Sequence, residues 1–294
     1  MRHHQASHTA EYMALFRALE SVRPPARRLF DDPFARTFLR PSLRLVADVA
    51  RLPWCGNVIS WLIDTRWPGA RPSGVARTRF IDDVLIRALH AGVQQVVILG
   101  AGFDCRAYRL AGMDQVQVIE VDHPDTLRVK RQHMQPVLST SGHQVHFVAV
   151  DFNTQRLEDV LTPALCDATL PTFFLWEGVT NYLTAEAVDA TFRALRRLAQ
   201  QSSVLFTYVH KAVLEMGTAF AGTTRLHRTL QRVGEQWTFG FDPTELAAYL
   251  AQRGFRLVED RGSVDYRARY LGASGRHQRG YEFYRVALAE SQPQ

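Results

Sequence analysis

The apolar run Val96-Val97-Ile98-Leu99, halted at once by Gly100-Ala101-Gly102, constrains the fold of this chain more than any other stretch. Four consecutive aliphatic residues read as a strand buried on both faces, and the glycines permit the sharp turn that leads a strand into a helix. Similar runs recur at 116–121, 145–150, 172–176 and 204–209, separated by stretches long enough for crossover helices, of which 185–200 is the clearest. That alternation predicts a doubly wound, mostly parallel α/β sheet. A helix is expected to open at Asp242-Pro243, with Asp as N-cap and Pro in the first turn. Two final strands near 255–259 and 281–289 have no obvious helix between them and are expected to pair antiparallel, which makes seven strands with the last antiparallel.

Residues 1–74 read differently. A helical pattern over 9–21 stops at Pro24-Pro25, short segments follow after Asp32-Pro33 and from Pro41, and then comes an aromatic stretch with Trp54, Trp61 and Trp67. This prefix is too small and too interrupted for a domain of its own and is expected to act as a helical cap on the 75–294 domain. The strand-helix rhythm lapses over about 210–240, which reads as a lid insertion. The net charge is +6, but the arginines that dominate it are scattered among acidic residues, which argues against a nucleic-acid partner and reads as a compositional habit of the surface. No apolar run is long enough to span a bilayer and no signal-peptide pattern is present, so no membrane partner and a cytoplasmic location are expected. Cys55, Cys105 and Cys166 lie far apart with no CxxC pair, so neither a disulfide framework nor a metal site is expected.

The chemistry gathers at strand ends. Gly100 and Gly102, with Ala101 between them, let backbone approach a ligand at a helix N-terminus. Twenty residues after Gly102, Asp122 ends the second strand, where a carboxylate can accept hydrogen bonds from both ribose hydroxyls of a nucleoside; Glu120 faces the same way, and spacing does not choose between them. Asp151 and Phe152 end the third strand and offer an acceptor for an adenine amino group and a ring to pack on the base. Glu177 ends the fourth. Together these favour an adenosine-containing ligand along one sheet edge. A dinucleotide-dependent oxidoreductase is disfavoured because Cys105 stands where the fingerprint's third glycine belongs.

Five ordered blocks, 75–83, 99–104, 120–124, 150–152 and 176–183, together with 28–35 near the N-terminus, resemble the signature blocks of the leucine carboxyl methyltransferase family, in particular its bacterial branch linked to secondary metabolism. The resemblance implies a Rossmann-like class I methyltransferase fold, S-adenosylmethionine as cofactor, and methyl transfer to an oxygen of a small molecule, such as a polyketide. It further implies that Arg77 binds the methionine carboxylate, that Gly100 and Gly102 pass under it, that Asp122 holds the ribose, that Asp151 and Phe152 take the adenine, and that Glu177 lies near the methionine amino group or the transferred methyl. A guanidinium fork suits a carboxylate because it offers two parallel hydrogen bonds; the plainer role for Arg77 is a surface salt bridge with Asp82 or Asp83. Tyr182 is expected to line the same cavity.

Acceptor binding is expected in the lid. There, His210, with Tyr208 beside it, is a candidate general base toward a hydroxyl acceptor, whereas Lys211, Arg225 and Arg228 are candidate anchors for a carboxylate acceptor, which needs no base. A protein that keeps the fold and binds the cofactor without turnover is the rival from another class.

Overall fold

The computed structural model describes residues 8–139, 145–152, 154–214, 220, 223 and 236–293. Arg225 and Arg228 lie outside the described residues. Seven strands form one sheet in the order β3-β2-β1-β4-β5-β7-β6, namely β1 (Gln95–Leu99), β2 (Gln117–Asp122), β3 (Val145–Ala149), β4 (Thr172–Trp176), β5 (Ser202–Val209), β6 (Phe255–Gly262) and β7 (Tyr284–Ser291). The pairs β1/β2, β2/β3, β1/β4 and β4/β5 are parallel, and β7 runs antiparallel between β5 and β6.

Every residue of β1 and β4 is buried, as a central parallel strand covered on both faces requires. Alternation assigns Val96 and Ile98 to one face, in a core with Phe80, Ile81, Phe173 and Tyr266, and Val97 and Leu99 to the other, with Phe174, Trp176, Phe192 and Phe206. The first face is covered by α1 (His8–Ser21), α4 (Ala70–His90), α6 (Pro124–Leu138) and the helix before β7; the second by α7 (Leu157–Val160), α8 (Ala185–Leu198) and α9 (Pro243–Ala251). The N-terminal segment also holds α2 (Pro41–Val49) and α3 (Cys55–Arg66), and a one-turn helix α5 (Arg106–Arg109) follows the glycine turn.

Local capping follows the sequence. Thr184 caps α8 by accepting from the Ala187 N–H, and Asp242 caps α9 by accepting from the Thr244 N–H, with Pro243 at the first turn. Two boundaries differ from expectation. Helix α4 runs unbroken from Ala70, so the expected cap boundary at 74 falls inside it. A further helix, α10 (Ser263–His277), stands between β6 and β7, where no helix was legible, although the two strands pair antiparallel as expected. Its pattern is broken by Gly272, which has non-helical backbone (φ 63°), and its inner face packs on α4 rather than announcing itself by apolar periodicity.

Candidate functional site

The turn after β1 is held from three sides. The N–H groups of Gly100 and Ala101 donate to the Val121 carbonyl at 2.7 and 3.1 Å. Gly100 has φ +64°, and a Cβ there would lie 2.2 Å from Val179 Cγ2, so both the backbone and the space demand glycine. Asp122 closes the loop: its Oδ2 accepts from the Gly102 N–H and its Oδ1 from the His123 N–H, both at 2.6 Å. Burial raises the Asp122 pKa, and those two N–H groups only partly offset it.

Glu120, left level with Asp122 by spacing, is placed elsewhere. It is fully buried under the turn, its Oε2 2.7 Å from Lys130 Nζ, and that ammonium in turn reaches the Ala101 carbonyl at 3.4 Å. Burial pushes the Glu120 pKa up against the pull of Lys130. Glu120 props the turn from below, two residues back from the strand end, and offers no surface to a ligand; of the two carboxylates only Asp122 reaches the edge.

Beside the turn lies a buried charge cluster. Glu177, just past β4, accepts from Arg77 Nε through Oε1 and from Arg106 Nη1 through Oε2, each at 2.8 Å. Arg106 also donates to Asp82 Oδ1 at 2.7 Å and to Asp104, and Arg109 meets Asp82 Oδ2 at 2.8 Å. Burial works to raise the Glu177 pKa, but Arg106 and Arg77 outweigh it and hold the carboxylate below its ordinary value. Arg77 is not the surface ion pair that its neighbours in sequence suggested. Asp83 pairs with Arg79, Asp82 with Arg106 and Arg109, and Arg77 is 8% exposed with its guanidinium 4.5 Å over the Tyr284 ring. Its Nε is spent on Glu177, whereas its terminal nitrogens meet no oxygen among the described residues, Nη2 lying 3.6 Å from Met13 Sδ.

The cap reaches the same place. From α1, Arg17 donates to the Phe103 carbonyl at 2.5 Å and to Asp32 at 2.8 Å, and Phe38 stacks on Phe103 at 4.6 Å. Tyr182, expected at the cavity, lies with its hydroxyl 3.5 Å from Thr9 Oγ1 at the start of α1. Asp151 and Phe152 are half-buried beyond β3, Phe152 packing on the core layer that contains Val121 and Val150. Gly102, Asp122, Asp151 and Glu177 therefore share the carboxyl edge of β1 to β4.

Among the described residues, the acceptor candidates are not brought together. Tyr208 is fully buried, its hydroxyl donating to Asp260 Oδ2 at 2.7 Å and accepting from Arg285 at 2.9 Å. Burial and Asp260 both raise its pKa, so it is a structural link to β6 and β7 rather than a group facing an acceptor. Lys211 is exposed and paired with Glu245 at 3.0 Å and Asp242 at 3.5 Å, on the outside of α9. His210 packs against Phe220, and its Nδ1 accepts the Ala212 backbone N–H at 3.1 Å. A backbone N–H can only donate, so a neutral His210 carries its proton on Nε2 and has no free basic nitrogen. Reading the arginines as a surface habit concealed Arg17, Arg106 and Arg109; their side chains are between 3 and 11% exposed, and no local signal separates them from the rest.

Residues 10–196 match the family model for leucine carboxyl methyltransferase. The chain belongs to the leucine carboxyl methyltransferase family. An inferred S-adenosyl-L-methionine-dependent methyltransferase of Mycolicibacterium smegmatis is 32% identical over 255 residues, covering 85% of this chain and 81% of that protein. Another from Mycolicibacterium gilvum is 34% identical over 222 residues, covering 72% and 69%. Among solved structures, a DUF574 family protein from Streptomyces avermitilis is similar with a TM-score of 0.59 at 16% identity, covering 99% of both chains. An inferred methyltransferase from Thermobifida fusca gives 0.57 at 16% identity, covering 93% and 97%. At that identity the two structures establish the fold alone. This member of the leucine carboxyl methyltransferase family is an S-adenosylmethionine-dependent methyltransferase. Among the described residues no helix is long and apolar enough to cross a membrane.

Proposed function

We propose that this enzyme methylates an oxygen of a small-molecule acceptor, with a carboxylate as the favoured acceptor and a role in secondary metabolism. The observation that carries the cofactor assignment is the continuous edge from the Gly100–Gly102 turn closed on Asp122, through Arg106, to Glu177 and Arg77. It fits S-adenosylmethionine group by group. The glycine turn admits the chain of the ligand, Asp122 accepts from the ribose hydroxyls, and Asp151 with Phe152 receives the adenine. Arg77, held at Nε by Glu177, presents its terminal nitrogens to the methionine carboxylate, and the Glu177 carboxylate, kept ionised by two guanidinium groups, suits the ammonium. When bound, the cofactor supplies an electrophilic methyl on a sulfonium sulfur.

What the protein adds is position and dryness. Helix α1, tied down by Arg17 to Phe103, covers the turn and keeps water from the site. A hydroxyl acceptor would need a base, and the nitrogen of His210 that could serve is occupied. A carboxylate acceptor arrives ionised and needs none, which is why it is favoured. His210→Gln is therefore expected to change turnover by less than about threefold, far short of the roughly 10²- to 10⁴-fold drop that losing a general base brings. Steady-state kinetics on the first acceptor found will check it.

Methyl-labelled S-adenosylmethionine offered with a panel of small carboxylic acids and phenols tests the reaction itself. A product that releases labelled methanol in mild base is a methyl ester and supports the proposal; a base-stable product is an ether and overturns the carboxylate assignment. Tight cofactor binding with no labelled product from any acceptor would favour the binding-protein alternative. Arg77→Lys keeps the charge but loses both the fork and the Nε bond to Glu177, and about tenfold weaker binding of S-adenosylhomocysteine is expected by calorimetry. Unchanged affinity would show that charge alone suffices.

A further inference from the structure

Helix α3 has apolar residues on both sides and no buried residue. Ile59 and Ile63 hold it to the core, while Val58, Trp61 and Leu62 face outward in one stripe that Trp54 extends at the N-terminal end. Trp61 is 63% and Trp54 82% exposed. Trp54 also sits at φ 68°, left-handed backbone that a bulky residue rarely adopts, and the strain is not offset by burial of its ring. Apolar side chains on the outward side of a helix as well as on its core side leave an exposed patch of the kind that marks an interaction site.

Charge decides what covers it. Residues 36–71 contain six arginines and two aspartates, a surplus of four positive charges out of the chain's net +6. Both aspartates are already paired, Asp48 with Arg36 and Asp64 with Arg71, and Glu11 of α1 meets Arg40, which lowers the local surplus to three. Exposed Arg51 and Arg66 bracket the Trp-bearing stripe. A second copy docked symmetrically would set this surplus against itself, and an outward-facing helix gives a peptide no groove. Exposed tryptophans flanked by arginines are the side chains that favour an anionic membrane interface.

We propose that the outer face of α3 seats the protein on an anionic lipid bilayer. The lack of a membrane-crossing run concerns spanning a bilayer and not lying on one. Flotation with vesicles of phosphatidylcholine alone, or mixed with phosphatidylglycerol, tests this without reference to methyl transfer. Binding is expected to the mixed vesicles and to fall at high salt. Trp54→Ser with Trp61→Ser should abolish it, and Arg51→Gln with Arg66→Gln should weaken partitioning roughly 30-fold, given the usual strength of one basic side chain at such a surface. Both double variants should fold and bind S-adenosylhomocysteine as the parent does, because all four side chains are exposed. No binding to mixed vesicles overturns the proposal, as does salt-insensitive binding to both vesicle types or unchanged binding by the tryptophan variant. A parent that sediments as a dimer and a tryptophan variant that sediments as a monomer would also overturn it, showing the face covered by a second copy.

Discussion

Arg106→Met is expected to destabilise the protein by about 3–5 kcal/mol, the range for removing one member of a buried ion cluster and stranding its partners. Arg106 is 3% exposed and meets Asp82, Asp104 and Glu177 at once. Asp82 keeps Arg109 and Glu177 keeps Arg77 after the change, but Asp104 loses its main counter-ion. The pH dependence should identify the cause. In the parent, burial works to raise the Asp104 pKa, yet Arg106 above all carries it from 3.8 down to about 2. A lowered folded-state pKa gives stability that is present above pH 3.8 and lost as the pH falls through about 2. In the variant, burial is opposed only by Lys130, Arg17 and the backbone N–H of residue 106, so the Asp104 pKa rises and the stability its ionised form contributes at neutral pH shrinks. The gap between parent and variant in urea unfolding should therefore narrow as the pH is lowered from neutral toward 3. A gap that does not change with pH would mean that lost packing, not stranded charge, sets the cost.

Asp122→Ala is expected to weaken S-adenosylmethionine binding by about 1.5–3 kcal/mol, the span for hydrogen bonds to a charged group, or roughly 10- to 150-fold. Stability should fall by about 1–3 kcal/mol, the cost of leaving the Gly102 and His123 N–H groups without their acceptor. Part of that loss is offset, because burial raises the Asp122 pKa and ionisation at neutral pH costs stability relative to the protonated acid. Asp122→Asn separates its two roles, because an amide oxygen can still accept the Gly102 N–H while the charge is gone. Binding should fall for both variants, more for alanine. Calorimetry with the cofactor and a thermal melt of each variant provide the check, and a folded alanine variant with full affinity would remove Asp122 from the ribose site.

The glycine turn and its acid were legible because both are local facts. Gly100 is required by its left-handed backbone at the turn, and Asp122 is placed by the two-residue period of β2. The caps at Thr184 and Asp242 were readable for the same reason. Helix α10 was not, since glycines interrupt it and its apolar contacts are with α4, nearly two hundred residues earlier. Strand-end position placed His210 and Tyr208 near the carboxyl edge, but which way each polar atom points depends on Ala212, Asp260 and Arg285.

The sequence by itself determined the parallel sheet, the glycine turn at the carboxyl end of β1 and the carboxylate that closes it. Strand period, turn conformation and buried apolar runs act over a few residues, and the register of neighbouring strands carries them into space. Tertiary structure alone decided which of the many arginines are buried and what they bind. Arg77 lies 100 positions from Glu177, Arg106 71 positions from it, and Arg17 86 positions from the Phe103 carbonyl. A charge carries no local mark of its partner; burying a guanidinium is tolerable only where folding delivers a carboxylate or carbonyl to it, and that delivery is a property of the assembled layers.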